Sequence, residues 1–197
     1  MEKITKQELI DFEEEIKECY LNAQIKGPVH FSKGNEEPLI EIFKEVNECD
    51  WVFSTHRSHY HALLKGVDKE FVRNEILENR SIHLNSVKDK FFTSAIVGGV
   101  LPIAVGVAMG IKRKGGQERV WVFVGDMCSE MGIFHECAKY AKKQGLKINF
   151  IIEDNGLSVE TPTQEVWGNC DSDSVNVIRY KYVRGFPHHG VGQWVSF

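Results

Sequence analysis

Two adjacent stretches, VFVGDMCSEMG at residues 122–132 and INFIIEDNG at residues 148–156, decide how the chain is read. An apolar run ends on Gly125 and Asp126. A segment with Met131, Phe134, Ala138 and Ala141 on one face follows over 129–144, and a second apolar run ends on Asp154, Asn155 and Gly156. Short Val/Ile/Phe-rich runs around an amphipathic helix specify a strand–helix–strand unit and a largely parallel sheet. A right-handed unit of this kind brings the C-terminal ends of both strands to one edge. Asp126 and Asn155, 29 residues apart (155 − 126), then converge where open α/β sheets bind ligands. A helix starting near Ser129 would aim its unpaired N–H groups and positive dipole end at the same place. One carboxylate, one amide oxygen and a helix N-terminus suit a hard cation that bridges phosphates, and Mg²⁺ is commonly held by few protein oxygens plus phosphate. A lone Gly-Asp or Asn-Gly would be read as a cap or a turn. The pair, on two strand ends, points to a site.

Outward from this unit the pattern stays α/β. Leu9, Phe12, Ile16, Cys19, Tyr20 and Ala23 recur at three- and four-residue spacing and predict an amphipathic helix over 5–24. Further helices are expected over 38–46, 60–66 and 68–78, the last capped by Asp68. WVFS at 51–54 reads as a buried strand, 79–94 as a polar loop, and 98–113 as a Gly/Ala-rich helix able to pack closely on another backbone. Strands are expected at 120–125, 148–153 and 174–183, giving a mostly parallel sheet flanked by helices in a single domain over 1–197.

The 197 residues are 42% hydrophobic and 26% charged, a globular composition. The net charge of -4 supplies no basic field for nucleic acid and no polybasic membrane anchor. No apolar run reaches membrane-spanning length; 95–111 comes nearest, but glycines and a proline interrupt it. Five scattered cysteines without a CxxC predict reduced thiols and a cytoplasmic protein rather than a disulfide frame or a zinc site. Gly98, Gly99 and Gly106 do not make GxGxxG, and RKGGQER at 113–119 precedes a strand instead of following one, so a nicotinamide reading is weak.

The motif formed by Gly125-Asp126 and Glu153-Asp154-Asn155-Gly156 resembles the thiamine-diphosphate motif, usually Gly-Asp-Gly, a spacer and Asn-Asn. The similarity extends to FEEEIKECYLNAQIKGPVHFSKGNEEP, DWVFSTHRSHYHALLKGVD, SIH, AIVGGVLPIAVGVAMGIKRKG and GIFHECAKYAKKQGLKINFIIEDNGLSVETP. In order, and nearly without gaps over 6–165, these blocks resemble the α subunit of the thiamine-diphosphate-dependent 2-oxo acid dehydrogenases of pyruvate, branched-chain and acetoin type, here in a shortened form. The resemblance implies the thiamine-diphosphate-binding fold, in particular its diphosphate-binding domain. Asp126 and Asn155 would ligate Mg²⁺ through side chains and Leu157 through its carbonyl, with Gly125, Met127 and Cys128 completing the cofactor turn. Arg57 would hold the diphosphate, where a planar guanidinium matches phosphate oxygens. His56 stands where the family has a tyrosine, and Ile96 and Val97 would lie under the cofactor rings. His30 and His59 match positions around the substrate channel, and His188 or His189 corresponds to a loop histidine at the reacting end. Helix-face His61, His83 and His135 read as structural, and Cys128 as a small buried cysteine rather than a nucleophile.

The resemblance also implies an enzyme that decarboxylates a 2-oxo acid and passes on the acyl unit. A β-type partner would supply the pyrimidine-binding domain and the activating glutamate, giving an α2β2 heterotetramer inactive as the lone chain. Met127 replaces the motif's third glycine, Glu130 and Met131 replace the usual Asn and Glu, and VWGNCDSDS replaces a longer family segment after Glu165. These departures leave two alternatives open: a transketolase-like ketol or acyl transfer to an aldehyde or sugar, and a noncatalytic regulatory subunit.

Overall fold

A computed structural model describes residues 4–168 and 177–196. The first helix, α1 (Lys6–Leu21), begins with a capping box: Glu8 N donates to Thr5 Oγ1 at 3.2 Å and Thr5 N to Glu8 Oε2 at 2.7 Å. It buries Leu9, Phe12, Ile16, Cys19 and Tyr20, the stripe the spacing predicts, and stops short of residue 24 because Ala23 turns left-handed at φ 56°. α2 (Glu36–Phe43) starts two residues earlier than expected, with Pro38 in the first turn, where a missing N–H leaves no helix bond unmade. β1 (Trp51–Ser54), α3 (His59–Lys65) and α4 (Lys69–Leu77) follow. Left-handed Gly66 closes α3, and the Asp68 carboxylate caps α4 by accepting from Phe71 N at 2.8 Å.

The predicted loop 79–94 contains a strand, β2 (Phe91–Thr93), preceded by one 3₁₀ turn at Ser81–His83. Then come α5 (Val100–Arg113) and β3 (Val120–Gly125). The helix expected over 129–144 is two pieces, α6 (Asp126–Ser129) and α7 (Gly132–Lys143). Met131 adopts extended geometry between them, so the longer helix does not begin at Ser129. β4 (Ile148–Asp154), the short hairpin β5 (Leu157–Ser158) and β6 (Thr161–Pro162), α8 (Thr163–Trp167) and β7 (Val177–Lys181) complete the chain. Residues 174–176 of the last expected strand, and Cys170, lie outside the described residues.

The main sheet has order β2-β1-β3-β4-β7 and every neighbouring pair is parallel. Alternating side chains divide the core in two. Val52, Phe91, Trp121, Phe123 and Ile151 join α1–α4 on one face. Phe53, Val120, Val122, Val124, Phe150 and Ile152 join α5 and α7 on the other. β3 and β4 are therefore apolar on both sides, which is why they read as continuous hydrophobic runs rather than alternating ones.

Candidate active site

The chain leaves the sheet in two directions. From β1 it crosses to β2 at one edge; from β3 it crosses through α7 to β4 and on toward β7 at the other. The C-terminal ends of β1 and β3 flank the switch point, where diverging loops leave a crevice. A cleft opens there. Thr55, His56 and Arg57 line it from the loop after β1, and Ile96, Val97 and Gly98 from the turn before α5. Gly125, Asp126, Met127 and Cys128 line it from the end of β3, Glu153, Asn155 and Leu157 from the end of β4 and the turn after it, and Tyr182, Arg184 and His188 from the segment after β7.

Asp126, on the cleft wall, is buried at 1% exposure. Its Oδ2 accepts a short hydrogen bond from the Thr163 hydroxyl, and its backbone oxygen accepts one from Ser129 Oγ at 2.6 Å. Burial pushes its pKa up and the nearby Asp154 adds to this, against the Thr163 bond and the charge of Arg179. Among the described residues Asp126 has no ion-pair partner, because Arg179 is spent on its neighbours: Nη2 lies 3.2 Å from Glu130 and Nη1 lies 3.1 Å from Asp154. That pairing also neutralises Glu130, the carboxylate standing where the family pattern has an amide.

Asn155 is fixed from both ends. Leu157 N donates to its Oδ1 at 3.0 Å, and its Nδ2 donates to Tyr182 Oη at 3.1 Å. Thr163 joins the two strand ends: its hydroxyl holds Asp126 and its N–H donates to Gly156 O at 3.0 Å. A Cβ placed on Gly125 or Gly156 would meet nothing within 4 Å, so backbone at both turns is open to an approaching group. A buried carboxylate without a counter-ion, an amide oxygen with a second lone pair and open glycine backbone form a donor set that fits Mg²⁺ with phosphate.

Arg57 ties two loops together, donating from Nη1 to Phe31 O in a short bond and from Nη2 to His188 O at 3.1 Å. A guanidinium carries five N–H donors, so others remain for a phosphate. Ile96 and Val97 are 75% and 61% exposed, an uncovered apolar ledge on the cleft. Met127 occupies the position of the missing glycine and its sulfur accepts from Trp167 Nε1 at 3.1 Å. Burial raises the Cys128 thiol to about 11, which keeps it protonated and unreactive at neutral pH.

The histidines separate into two groups. His30 is not on the cleft wall but stacks edge-on against His56 and His188, which are, and against His189, with centroids at 4.3, 4.9 and 5.5 Å. Burial and neighbouring positive groups push His30 down to about 2 and His56 to about 4, so both imidazoles are neutral at pH 7. His59, expected beside a substrate channel, is instead sealed in the core at 0% exposure. Its Nδ1 lies 3.1 Å from both Glu13 oxygens and its Nε2 2.8 Å from Ser81 Oγ. It is part of the scaffold because α3 turns that ring toward α1.

Sequence reasoning missed Glu153, whose Oε1 receives the Tyr180 hydroxyl at 2.5 Å and Asn35 Nδ2 at 3.2 Å, with His61 Nε2 at 3.3 Å. Burial alone would raise this carboxyl, but His61, Tyr180 and Asn35 outweigh it and hold it below the ordinary range. The signal was a charged residue closing the apolar run INFII. Nothing in the sequence marked Thr163 or Arg179.

The family described as dehydrogenase E1 component matches residues 5–172. The α subunit of acetoin:2,6-dichlorophenolindophenol oxidoreductase from Bacillus subtilis is 30% identical over 183 residues, covering 88% of this chain and 55% of that one. Its namesake from Cupriavidus necator is 32% identical over 161 residues, covering 77% and 48%. The pyruvate dehydrogenase E1 component α subunit of Rickettsia prowazekii is 28% identical over 170 residues, covering 81% and 52%. The chain thus spans about half the length of the curated relatives it matches.

Proposed function

This chain belongs to the dehydrogenase E1 component family, and from that premise we propose that it is the diphosphate-binding, α-type subunit of a heteromeric thiamine-diphosphate enzyme. The observation that carries the proposal is the buried Asp126, without an ion-pair partner among the described residues, facing a switch-point cleft beside Asn155. Asp126 and Asn155 through side chains, and Leu157 through its carbonyl, would hold Mg²⁺. Arg57 would grip the diphosphate, with Gly125 and Cys128 beside it and Met127 leaning aside on Trp167. Ile96 and Val97 would carry the cofactor rings on their exposed ledge. His56, His30, His188 and His189 would stand toward the substrate end, where an imidazole can accept or relay a proton. Bound thiamine diphosphate supplies an electron sink for breaking a bond beside a carbonyl.

The reaction proposed is decarboxylation of a 2-oxo acid with onward passage of the acyl unit; the named pyruvate dehydrogenase subunit supports that class, and the acetoin oxidoreductases, whose substrate has no carboxylate, support the broader cleavage of a bond beside a carbonyl. A β-type partner would bring the pyrimidine-binding domain and the activating glutamate, in an α2β2 assembly. No helix of the described residues is long and apolar enough to cross a membrane. The assembly is proposed to be cytoplasmic, a reading that the free thiols of Cys19, Cys49, Cys128 and Cys137 support. The test is to combine the chain with a β-type subunit and assay pyruvate and other 2-oxo acids against an artificial electron acceptor, with ketose donors plus aldehydes in parallel. Turnover of the 2-oxo acid class that needs both subunits supports the proposal. Turnover confined to ketoses, or none together with no thiamine-diphosphate binding, overturns it.

A further inference from the structure

Three imidazoles from distant parts of the chain meet beside the cleft. His30 lies on the extended segment between α1 and α2, His56 in the loop after β1, and His188 in the loop after β7. Their ring centroids are 4.3, 4.9 and 5.5 Å apart, and one donor nitrogen from each lies within 4.8 Å of the others. His30 Nδ1 is buried and has no hydrogen-bond partner among the described residues. A buried polar atom left unpaired is costly, so a structure that keeps one calls for an explanation. The cluster is braced rather than incidental. Arg57 bonds Phe31 O, next to His30, and His188 O, fixing two of the three loops to the segment that carries His56.

We propose that His30, His56 and His188 form a three-histidine site for a divalent d-block cation of the zinc class, with a fourth position open to the cleft. An all-imidazole donor set selects zinc, cobalt or nickel over magnesium or calcium, which require oxygen. With metal–nitrogen bonds of about 2.0–2.1 Å, the donors of a tetrahedral site stand ~3.3 Å apart, so each nitrogen moves inward by about 1 Å or less. Three protein ligands plus an exchangeable fourth is the pattern of sites that act on a substrate rather than hold a fold. His56 and His188 both line the cleft, so an oxygen ligand reaches that fourth position from the same space. The guanidinium of Arg57 alongside favours an anionic fourth ligand, a hydroxide or a carboxylate. The site shares no ligand with Asp126 and Asn155 and stands or falls separately from the magnesium reading.

The experiment is a titration of the full chain with Co²⁺ in Mg²⁺-containing buffer, read by equilibrium dialysis and visible d–d absorption. One Co²⁺ per chain with the intense bands of four-coordinate cobalt, displaced by Zn²⁺, is expected. His56→Gln and His188→Gln, each checked for an unchanged circular-dichroism spectrum, should weaken binding at least about tenfold, since losing even an outer-shell partner costs 10–100-fold. Asp126→Asn should leave the bands in place. X-ray absorption of the zinc-loaded wild-type chain needs no variant and should show three imidazole nitrogens. Unchanged binding in both histidine variants, weak six-coordinate bands only, or a zinc shell of sulfur or of oxygen alone overturns the proposal.

Discussion

Thr163→Val tests how the cleft is built, because Thr163 bonds both strand ends. Its hydroxyl is the side-chain donor to the buried Asp126 carboxylate, while its N–H bond to Gly156 survives the substitution. Valine matches threonine in shape, so the change removes a donor and little volume. A hydrogen bond to a charged group contributes about 1.5–3 kcal/mol, and a neutral one about 0.5–1.5 kcal/mol. For a chain of this length each kcal/mol moves Tm by roughly 2–4 °C, so at neutral pH the variant should melt about 3–12 °C lower. The loss depends on pH with a definite sign. Burial raises the Asp126 pKa above its unfolded value, so the folded state carries the carboxylate's desolvation cost above the folded pKa and sheds it as pH falls below. The Thr163 bond offsets part of that cost, so the gap between wild type and variant is largest above the folded pKa, where the carboxylate is charged, and shrinks toward the neutral-bond figure as pH falls through it. Differential scanning calorimetry at about pH 7.5 and about pH 5, with far-UV circular dichroism to confirm the fold, measures it. A gap under about 1 °C at neutral pH, or one that widens on acidification, refutes a buried ionised Asp126 held by Thr163.

Two other substitutions probe the surrounding frame. Gly34 has φ +98°, and a Cβ there would sit 2.2 Å from Val183 O, on the loop leading to His188. Gly34→Ala should therefore cost on the order of 1–3 kcal/mol, lower Tm and displace that loop, seen as altered histidine signals in NMR. Ser81→Ala leaves His59 Nε2 without its partner and should cost about 1–3 kcal/mol, yet leave cofactor binding by the assembled enzyme unchanged, because Ser81 and His59 are sealed in the core. Calorimetry alongside a cofactor titration checks both halves of that statement.

The β3–α7–β4 unit was legible because strands buried on both faces are written as unbroken apolar runs, and their terminal Asp126 and Asn155 follow from right-handed connection. β2 was not, since three residues in a polar stretch carry too little pattern, and its strand is defined by its pairing with β1. The break between α6 and α7 was hidden because Ser129, Glu130 and Met131 all suit a helix; the backbone straightens at Met131. Arg57, His56 and Asn155 line the cleft, since each falls within three residues of the end of a strand of the sheet. His59 does not, because two residues along the chain a helix begins and turns its ring inward. The convergence of His30 with His56 and His188 had no signature in spacing: it depends on loops far apart in sequence that Arg57 ties together.

The central proposal is a divalent cation held between Asp126 and Asn155 that anchors a diphosphate. The most direct measurement is a calorimetric titration of thiamine diphosphate into the chain assembled with a β-type subunit, with and without Mg²⁺, for wild type and Asp126→Asn. Binding by wild type that requires Mg²⁺, weakened roughly 30-fold or more in the variant by loss of a buried charged ligand, is the predicted result. Equal affinity with and without Mg²⁺, or in the two proteins, would contradict it.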